Sequence, residues 1–434
     1  MTTLTERVQA GSRAQRRVPG PVALEGAILL LATPLLLFPS VAPVAAAAAL
    51  AALALVWLFS LSFARTRLPV TPFNVVLLLW GGALIVGIAT SADPAETLDK
   101  ATGLILGLAV WRFLTIAVIS RRQLAVAVAA LLLMGLGFII IGAFGLQEVP
   151  KIPALATFNP SRMVSLPIAI HPNQLAGLIC LYLPLLVALL FDAPVPFARS
   201  LWRVAFALLG LLVVLILVLS QSRGGWLGAA AGLFSLLALW AAVLPASRAR
   251  RALRLLAAAV LVSAVAAALW IGPGTLRDLW LNPPAETVVG TLTTLNYRKE
   301  LWPWAITAVG DFPFTGVGLG AFRAVAFRLY PLPLVADQDI GHAHNIFVQT
   351  ALDVGLPGLV VYVALLLVAA ASAWRAARVP AFRAVSLGLL AGMIALHVFG
   401  IADALALGSK PGLVFWFSIG LLTVMNKEEV AHEA

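Results

Sequence analysis

Apolar residues in this chain do not alternate with polar ones at a period of two or of 3.6. They fill whole segments of about 20 residues, the length a helix needs to cross a bilayer. Twelve such segments follow one another, near 22–39, 41–63, 73–90, 101–119, 124–142, 173–191, 204–221, 226–244, 255–271, 346–372, 384–402 and 411–425. Only Pro39 and Ser40 separate the first two, which predicts a tight helical hairpin; the last segment is short. Helices apolar on every face belong in lipid. The pattern predicts an all-α polytopic membrane protein of about twelve transmembrane helices. It divides into a tail at 1–21, nine spans within 22–271, a region at 272–345, three spans within 346–425 and a tail at 426–434.

Polar residues gather in three places between the spans: 143–172, the turn 220–225, and 272–345. The last is too long for a plain loop and predicts structure of its own. Residues 296–310 read as an amphipathic helix carrying Trp302, Trp304 and Ile306 toward the membrane interface. Residues 319–330 read as a second, with Arg323 and Arg328 on one side.

Composition agrees with this reading. Of the 434 residues 62% are hydrophobic, mean hydropathy is +1.02, and only 11% are charged, against about 25% charged in soluble domains. A soluble globular enzyme and a disordered chain are both excluded. The net charge of +11 raises nucleic acid as a partner, but the placement of the charges explains it by topology. With a cytoplasmic N-terminus, one set of connections holds Arg65, Arg67, Arg121, Arg122, Arg199, Arg203, Arg248, Arg250, Arg251, Arg254, Arg375, Arg378 and Arg383. The basic tail and Lys427 lie on that side as well. The other side's short connections hold Lys100, Lys151, Arg162, Arg223 and Lys410. Basic residues mark the cytoplasmic side, so both termini are expected there and no nucleic acid is needed. The first apolar segment follows Arg16 and Arg17; because a second follows at once, insertion without cleavage is expected. The one cysteine, Cys180, allows neither an intramolecular disulfide nor a cysteine-based zinc site.

The outer face is rich in arginine, lysine and imidazole, which suits an anionic ligand; arginine's planar fork pairs with phosphate through two parallel hydrogen bonds. Four other readings compete. Asp337, Asp339, His342 and His344 have the ligand types of a divalent-metal cluster, although a solvated acidic turn is the plainer reading. Gly316, Gly318 and Gly320 lack the spacing and the preceding strand of a phosphate-cradling loop and read as a turn. His397, inside a span near Asp403, reads as a packed histidine rather than half of a proton relay. A secondary transporter would carry charges inside its spans and internal repeats. Arg112 is the main such charge, and the halves show no obvious repeat.

The run Gly341-His342-Ala343-His344-Asn345-Ile346-Phe347-Val348-Gln349-Thr350-Ala351-Leu352-Asp353-Val354-Gly355-Leu356-Pro357-Gly358 resembles the signature of the O-antigen ligase and polymerase superfamily. That signature is His, then Asn, Ser or Gln, then nine residues, Gly, two residues, and Gly, Thr or Tyr. His344, Asn345, Gly355 and Gly358 fill it. Three further stretches resemble the family in order: His171-Pro172-Asn173-Gln174-Leu175-Ala176-Gly177, Ser222-Arg223-Gly224, and Asn296-Tyr297-Arg298 with Trp302 and 313–318. The resemblance covers most of the chain. It implies a fold related to the GT-C glycosyltransferases, in a bacterial inner membrane with the active site facing the periplasm. The implied donor is a glycan on undecaprenyl diphosphate. The implied acceptor is lipid A–core for a ligase, another repeat unit for a polymerase, or a protein hydroxyl for an O-oligosaccharyltransferase. The last class usually has a further C-terminal region, and this chain is expected to lack it. Polymerases carry an Arg-x10-Gly pattern in their outer loops. Counting from Arg162, Arg223, Arg277, Arg298, Arg323 and Arg328 reaches Asn173, Phe234, Val288, Val309, Leu334 and Asp339, never Gly. A ligase is therefore expected.

With that resemblance His344 is the candidate general base, since imidazole titrates near ambient pH; without it, a helix-start residue bonded to backbone is the plainer reading. Arg223 and Arg298 are candidates for the diphosphate, where they would offset charge on the leaving group. Otherwise Arg223 anchors a helix end and Arg298 lies on a solvated face. Arg162, Lys410 and His342 are further possible binding residues. Asn345 is expected to orient the imidazole ring or to cap the helix that begins there. The chemistry implied is inverting and metal-independent, and no cofactor is expected.

Overall fold

The structure, a computed structural model, describes residues 20–62, 68–147, 151–152, 155, 158–162, 164, 169–192, 200–282, 294–331, 340–405 and 407–427. Among them the protein is all-α. Fifteen helices run α1 (Gly20–Leu37), α2 (Pro43–Ser62), α3 (Asn74–Ala89), α4 (Pro94–Ala117), α5 (Arg121–Phe144), α6 (Pro172–Phe191), α7 (Ser200–Leu219), α8 (Arg223–Val243), α9 (Arg248–Ile271), α10 (Pro273–Leu281), α11 (Thr294–Asp311), α12 (Phe322–Leu329), α13 (Ile346–Ala376), α14 (Arg383–Gly400) and α15 (Gly412–Met425). One isolated parallel bridge, Leu146 to Ile170, is the only extended pairing among the described residues.

Each of the twelve apolar segments is a helix. Ten of the helices are long and apolar enough to cross a membrane; α3 and α15 are apolar but shorter. The region between the ninth and tenth segments holds α10, which the sequence pattern did not predict, and α11 and α12. On α12 Phe322, Val325 and Ala326 are buried while Arg323 and Arg328 are exposed, as the amphipathic reading expects. The Asp337-x-Asp339 part of the metal alternative lies outside the described residues.

Helices α6, α14 and α8 form the packed centre. Gly388 and Gly392 of α14 face α6, where a Cβ on Gly392 would lie 2.2 Å from the Leu181 carbonyl oxygen. Gly228 of α8 faces α14, where a Cβ would lie 2.7 Å from the Ala395 carbonyl oxygen, and at Gly232 it would lie 2.5 Å from the Ala395 side chain. Small residues four apart let backbones approach and gain van der Waals contact without a hydrophobic driving force. At the other extreme α9 has no buried residue.

Charges inside the bundle are paired. Arg112 of α4 bonds Glu25 of α1, and Trp57 of α2 donates its indole N–H to Glu25 Oε1 at 2.9 Å. The Arg112 guanidinium also lies over the Trp57 ring, 5.5 Å from its centroid. One carboxylate thus ties three helices, which satisfies the charge the sequence left alone. His397 bonds the Met393 carbonyl and the Tyr362 hydroxyl, both at 2.6 Å, and is a packed histidine.

Helix α13 is broken inside the bundle. Gly355 has φ +74° and ψ 175°, with Pro357 two residues on. Proline removes an amide N–H and crowds the preceding turn, and irregular backbone at membrane depth needs partners from protein. The 313–320 loop supplies them: Val317 N–H donates to the Leu352 carbonyl and Leu356 N–H to the Pro313 carbonyl, each at 2.7 Å. Gly316, Gly318 and Gly320 have φ of 67°, 101° and 74°, so this glycine-rich stretch is the turn expected of it. A small core of Leu301, Ala305, Val317, Phe322, Ala343 and Leu352 joins the loop helices to the start of α13. That core carries the segment in which the two histidines stand.

Candidate active site

His342 and His344 flank Ala343, which is buried in the small core. Ala343 is held from both sides. Its N–H donates to Gln349 Oε1 at 2.8 Å, and its carbonyl accepts from the Trp302 indole N–H at 3.0 Å. Gln349 donates in turn to Asp353 Oδ1 at 2.8 Å, and Asp353 accepts the Gly320 N–H at 2.9 Å. Trp302 therefore holds the site backbone, a role the membrane-anchor reading did not include. With its neighbours fixed, His344 takes φ +49°, a left-handed conformation that costs a non-glycine residue energy and persists only where surroundings enforce it. Asn345 caps α13, accepting from the N–H groups of Phe347 and Val348 at 3.0 Å each, and its Nδ2 donates to the Ile401 carbonyl at 3.0 Å.

Both imidazoles turn toward Asp403, in the connection between α14 and α15. His342 Nε2 and His344 Nδ1 each lie 3.5 Å from Asp403 Oδ1. The two rings are 4.2 Å apart, and Tyr297 meets the His344 ring edge-on at 5.4 Å. Asp403 is also the partner of Arg298. Nη2 lies 3.5 Å from Oδ2, and Arg298 Nε donates to the Ala402 carbonyl at 2.6 Å. Asn173, at the start of α6, bonds the same carboxylate oxygen, Oδ2, and accepts from Ser222 Oγ at 2.8 Å. Ser222 caps α8, whose first residue is Arg223. Gln221, with φ 52°, accepts the backbone N–H groups of Lys151 and Ile152 at 2.7 Å each. The isolated bridge at Ile170 brings in His171, which caps α6.

The electrostatics follow from this crowding. Burial and then the fields of Arg223 and Arg298 push the Lys151 ammonium down to about 8, with Asp403 opposing. Burial and then His344 push His342 down to about 3 against the pull of Asp403, so it is neutral at any working pH. Burial also lowers His171, again with Asp403 opposing. Burial alone would raise Asp403, but His344, His342 and Arg298 together hold it below the ordinary carboxylate range. It is ionised, and it is the anion around which the cations assemble. Arg298 is lowered by burial, with Asp403 opposing.

The expected site residues separate into two groups. His342, His344, Asn345, Arg298 and Arg223 converge on one place. Lys410 stands elsewhere, its ammonium 4.5 Å from the centroid of the Phe38 ring at the end of α1. Arg162 ends the 3-10 turn Pro160–Arg162, which packs on α5. Sequence reasoning missed Asp403 as the hub, and Lys151, Asn173, Ser222 and Gln349 as members. Asp403 carried one hint in the sequence, an acidic charge at the end of a span, but nothing there named its partners.

The ligand atoms of His342, His344 and Asp403 lie within 4.8 Å of one another, close enough to share a metal ion. The nearby charges of Arg298, Arg223 and Lys151 oppose a dication there, and Arg298 already occupies the carboxylate. The arrangement suits an anion beside a neutral imidazole better.

Residues 206–363 match the family model described as O-antigen ligase. No curated protein matches the chain. The matched stretch includes Arg223, Arg298, His342, His344 and the two glycines at 355 and 358; Asn173, Asp403 and Lys410 lie outside it. The chain is a multi-span membrane protein that carries, over residues 206–363, a domain matching the O-antigen ligase family.

Proposed function

We propose that this protein is an O-antigen ligase. It transfers a glycan from undecaprenyl diphosphate to a sugar hydroxyl of lipid A–core, on the periplasmic face of a bacterial inner membrane. The observation that carries the reading is the convergence of His344, His342 and Arg298 on a single buried carboxylate, Asp403, with Lys151 and Arg223 near enough for their charges to act on one another.

The residues divide the work. His344 Nδ1 faces Asp403, so the tautomer with its proton on Nδ1 leaves Nε2 free to accept one. Nε2 takes the proton of the acceptor hydroxyl as its oxygen attacks the anomeric carbon. The bond from that carbon to the diphosphate oxygen breaks, and the electron pair leaves with the diphosphate. Attack opposite the leaving group inverts the anomeric centre. Arg298, Arg223 and Lys151 offset the charge that gathers on the leaving oxygens; preorganised donors in a water-poor site contribute several kcal/mol in this role. Asp403 steadies the imidazolium that forms. His342, neutral at working pH, can donate or accept a hydrogen bond but adds no charge. The activated linkage is already in the donor, so no step calls for a metal or a nucleotide. We further propose that α3 and α15 cross with the other ten helices, giving twelve spans in a GT-C-like arrangement, with both termini cytoplasmic.

The test is a lipopolysaccharide gel from a deletion strain complemented with wild type or His344→Ala. A ligase predicts bare lipid A–core in the deletion strain, while long polymer accumulates on the lipid carrier. Core bearing a single repeat would mean a polymerase. His344→Ala should not complement. Membranes of the wild type should transfer glycan in EDTA; activity lost to EDTA and restored by magnesium or manganese would overturn the metal-independent scheme.

A further inference from the structure

A polar cavity of about 120 Å³ lies where α1, α4, α6 and the 408–411 turn meet. Leu36 and Leu37 of α1, Asp99, Lys100 and Gly103 of α4, Gln174 of α6 and the 408–411 turn line it. None of Lys151, Arg223 or Arg298 is among its described lining residues. It is joined to the site nonetheless: the Lys100 charge is felt at His342, and Gln174 follows Asn173, which bonds Asp403. Its floor is built from backbone. A Cβ on Gly103 would lie 2.0 Å from the Gly408 carbonyl oxygen, and one on Gly408 would lie 2.2 Å from the Lys100 carbonyl oxygen.

The lining has a definite chemistry. Asp99 Oδ1 is buried and has no hydrogen-bond partner, an unsatisfied acceptor that costs free energy until a donor reaches it. Lys100 and Lys410 offer positive charge, and Gln174 and Ser409 offer both donors and acceptors. A diphosphate would be repelled by Asp99 and is better served by Arg298, Arg223 and Lys151, which do not line this cavity. A sugar presents hydroxyl donors to the carboxylate, and an anionic substituent pairs with the lysines.

We propose that this cavity receives the acceptor, a hydroxyl-bearing sugar that also carries an anionic group such as phosphate. The proposal rests on the reading of the protein as a glycan transferase. It gives donor diphosphate and acceptor sugar separate places, the first at Arg298 and its neighbours and the second at Lys100 and Lys410.

The experiment is direct binding to the full-length protein in lipid nanodiscs, by surface plasmon resonance. The probes are a phosphorylated core–lipid A glycolipid, the same glycolipid after chemical dephosphorylation, and undecaprenyl diphosphate. Wild type should bind the phosphorylated glycolipid about tenfold more tightly than the dephosphorylated form, as one charge-assisted contact implies. Lys410→Glu should abolish that preference. Asp99→Ala should weaken both glycolipids about tenfold. Both variants should hold undecaprenyl diphosphate within about twofold of wild type. Glycolipid binding unchanged in both variants would overturn the proposal, and so would a loss confined to undecaprenyl diphosphate. Glycan transfer by the wild type is read separately: if there is none, the functional reading falls, while the binding series still decides the role of the cavity.

Discussion

Among single residues, one carboxylate, Asp403, serves three cationic or imidazole neighbours, Arg298, His342 and His344. Asp403→Asn keeps the side chain's shape and removes its charge. Transfer should fall about 100- to 1,000-fold, comparable to losing an electrostatic stabiliser, with the protein still extracted and folded as wild type. A variant as active as wild type would remove Asp403 from the scheme. Lys151 gives a pH signature. Its ammonium is held near 8, so raising pH through that value strips one positive charge from the free site. Donor kcat/KM, which reports the free enzyme, should therefore decline above about pH 8, and Lys151→Arg should keep the profile flat there, because arginine stays protonated. A profile unchanged by that substitution would refute the assignment. The grouping of His344 with Arg298 and Arg223 was legible in the sequence because each sits in a short stretch of fixed spacing; their roles belong to the proposal. Asp403 was not legible, because its partners come from elements far apart in the chain and only folding brings them together.

At the scale of elements, the motif around His344 is two devices in one. Its first half places the imidazole; its glycines shape α13. Gly355 breaks the helix at φ +74°, where a Cβ would lie 2.4 Å from the Phe314 carbonyl oxygen. Gly358 lets Val354 and α3 close in. Gly355→Ala should cost about 1–3 kcal/mol, the toll of a left-handed non-glycine residue, and should lower the thermal midpoint in detergent and the activity together. Gly210→Ala is the control: a Cβ there meets nothing within 4 Å, so it should be neutral or slightly stabilising. Equal midpoints for the two variants would contradict this reading of the kink. Existence and order of the twelve apolar helices were readable from hydropathy alone, since lipid demands long apolar runs. The break in α13 and the helix α10 were not, because both depend on which loop packs where.

At the scale of the whole molecule, the charge pattern and the position of the site make one claim: the histidine end of the bundle faces outward. Cys180, the one cysteine, is buried, and Cys180→Ala gives the background for single cysteines. Cysteines placed at Arg162 and Lys410 should react with an impermeant maleimide applied to spheroplasts. Those at Arg122 and Arg378 should react only after the membrane is opened. The reverse pattern would invert the topology, and reaction at all four positions in closed spheroplasts would break the twelve-span count.

The most direct test is transfer by the purified, reconstituted protein from a defined undecaprenyl-diphosphate glycan to core–lipid A. Wild type should attach the glycan to the core and release one undecaprenyl diphosphate for each glycan transferred. His344→Ala should lose about 100-fold or more of the rate, as removal of a general base does, while still binding the donor. Glycan added to a second lipid-linked repeat instead of the core, or a His344→Ala protein as fast as wild type, would contradict the account.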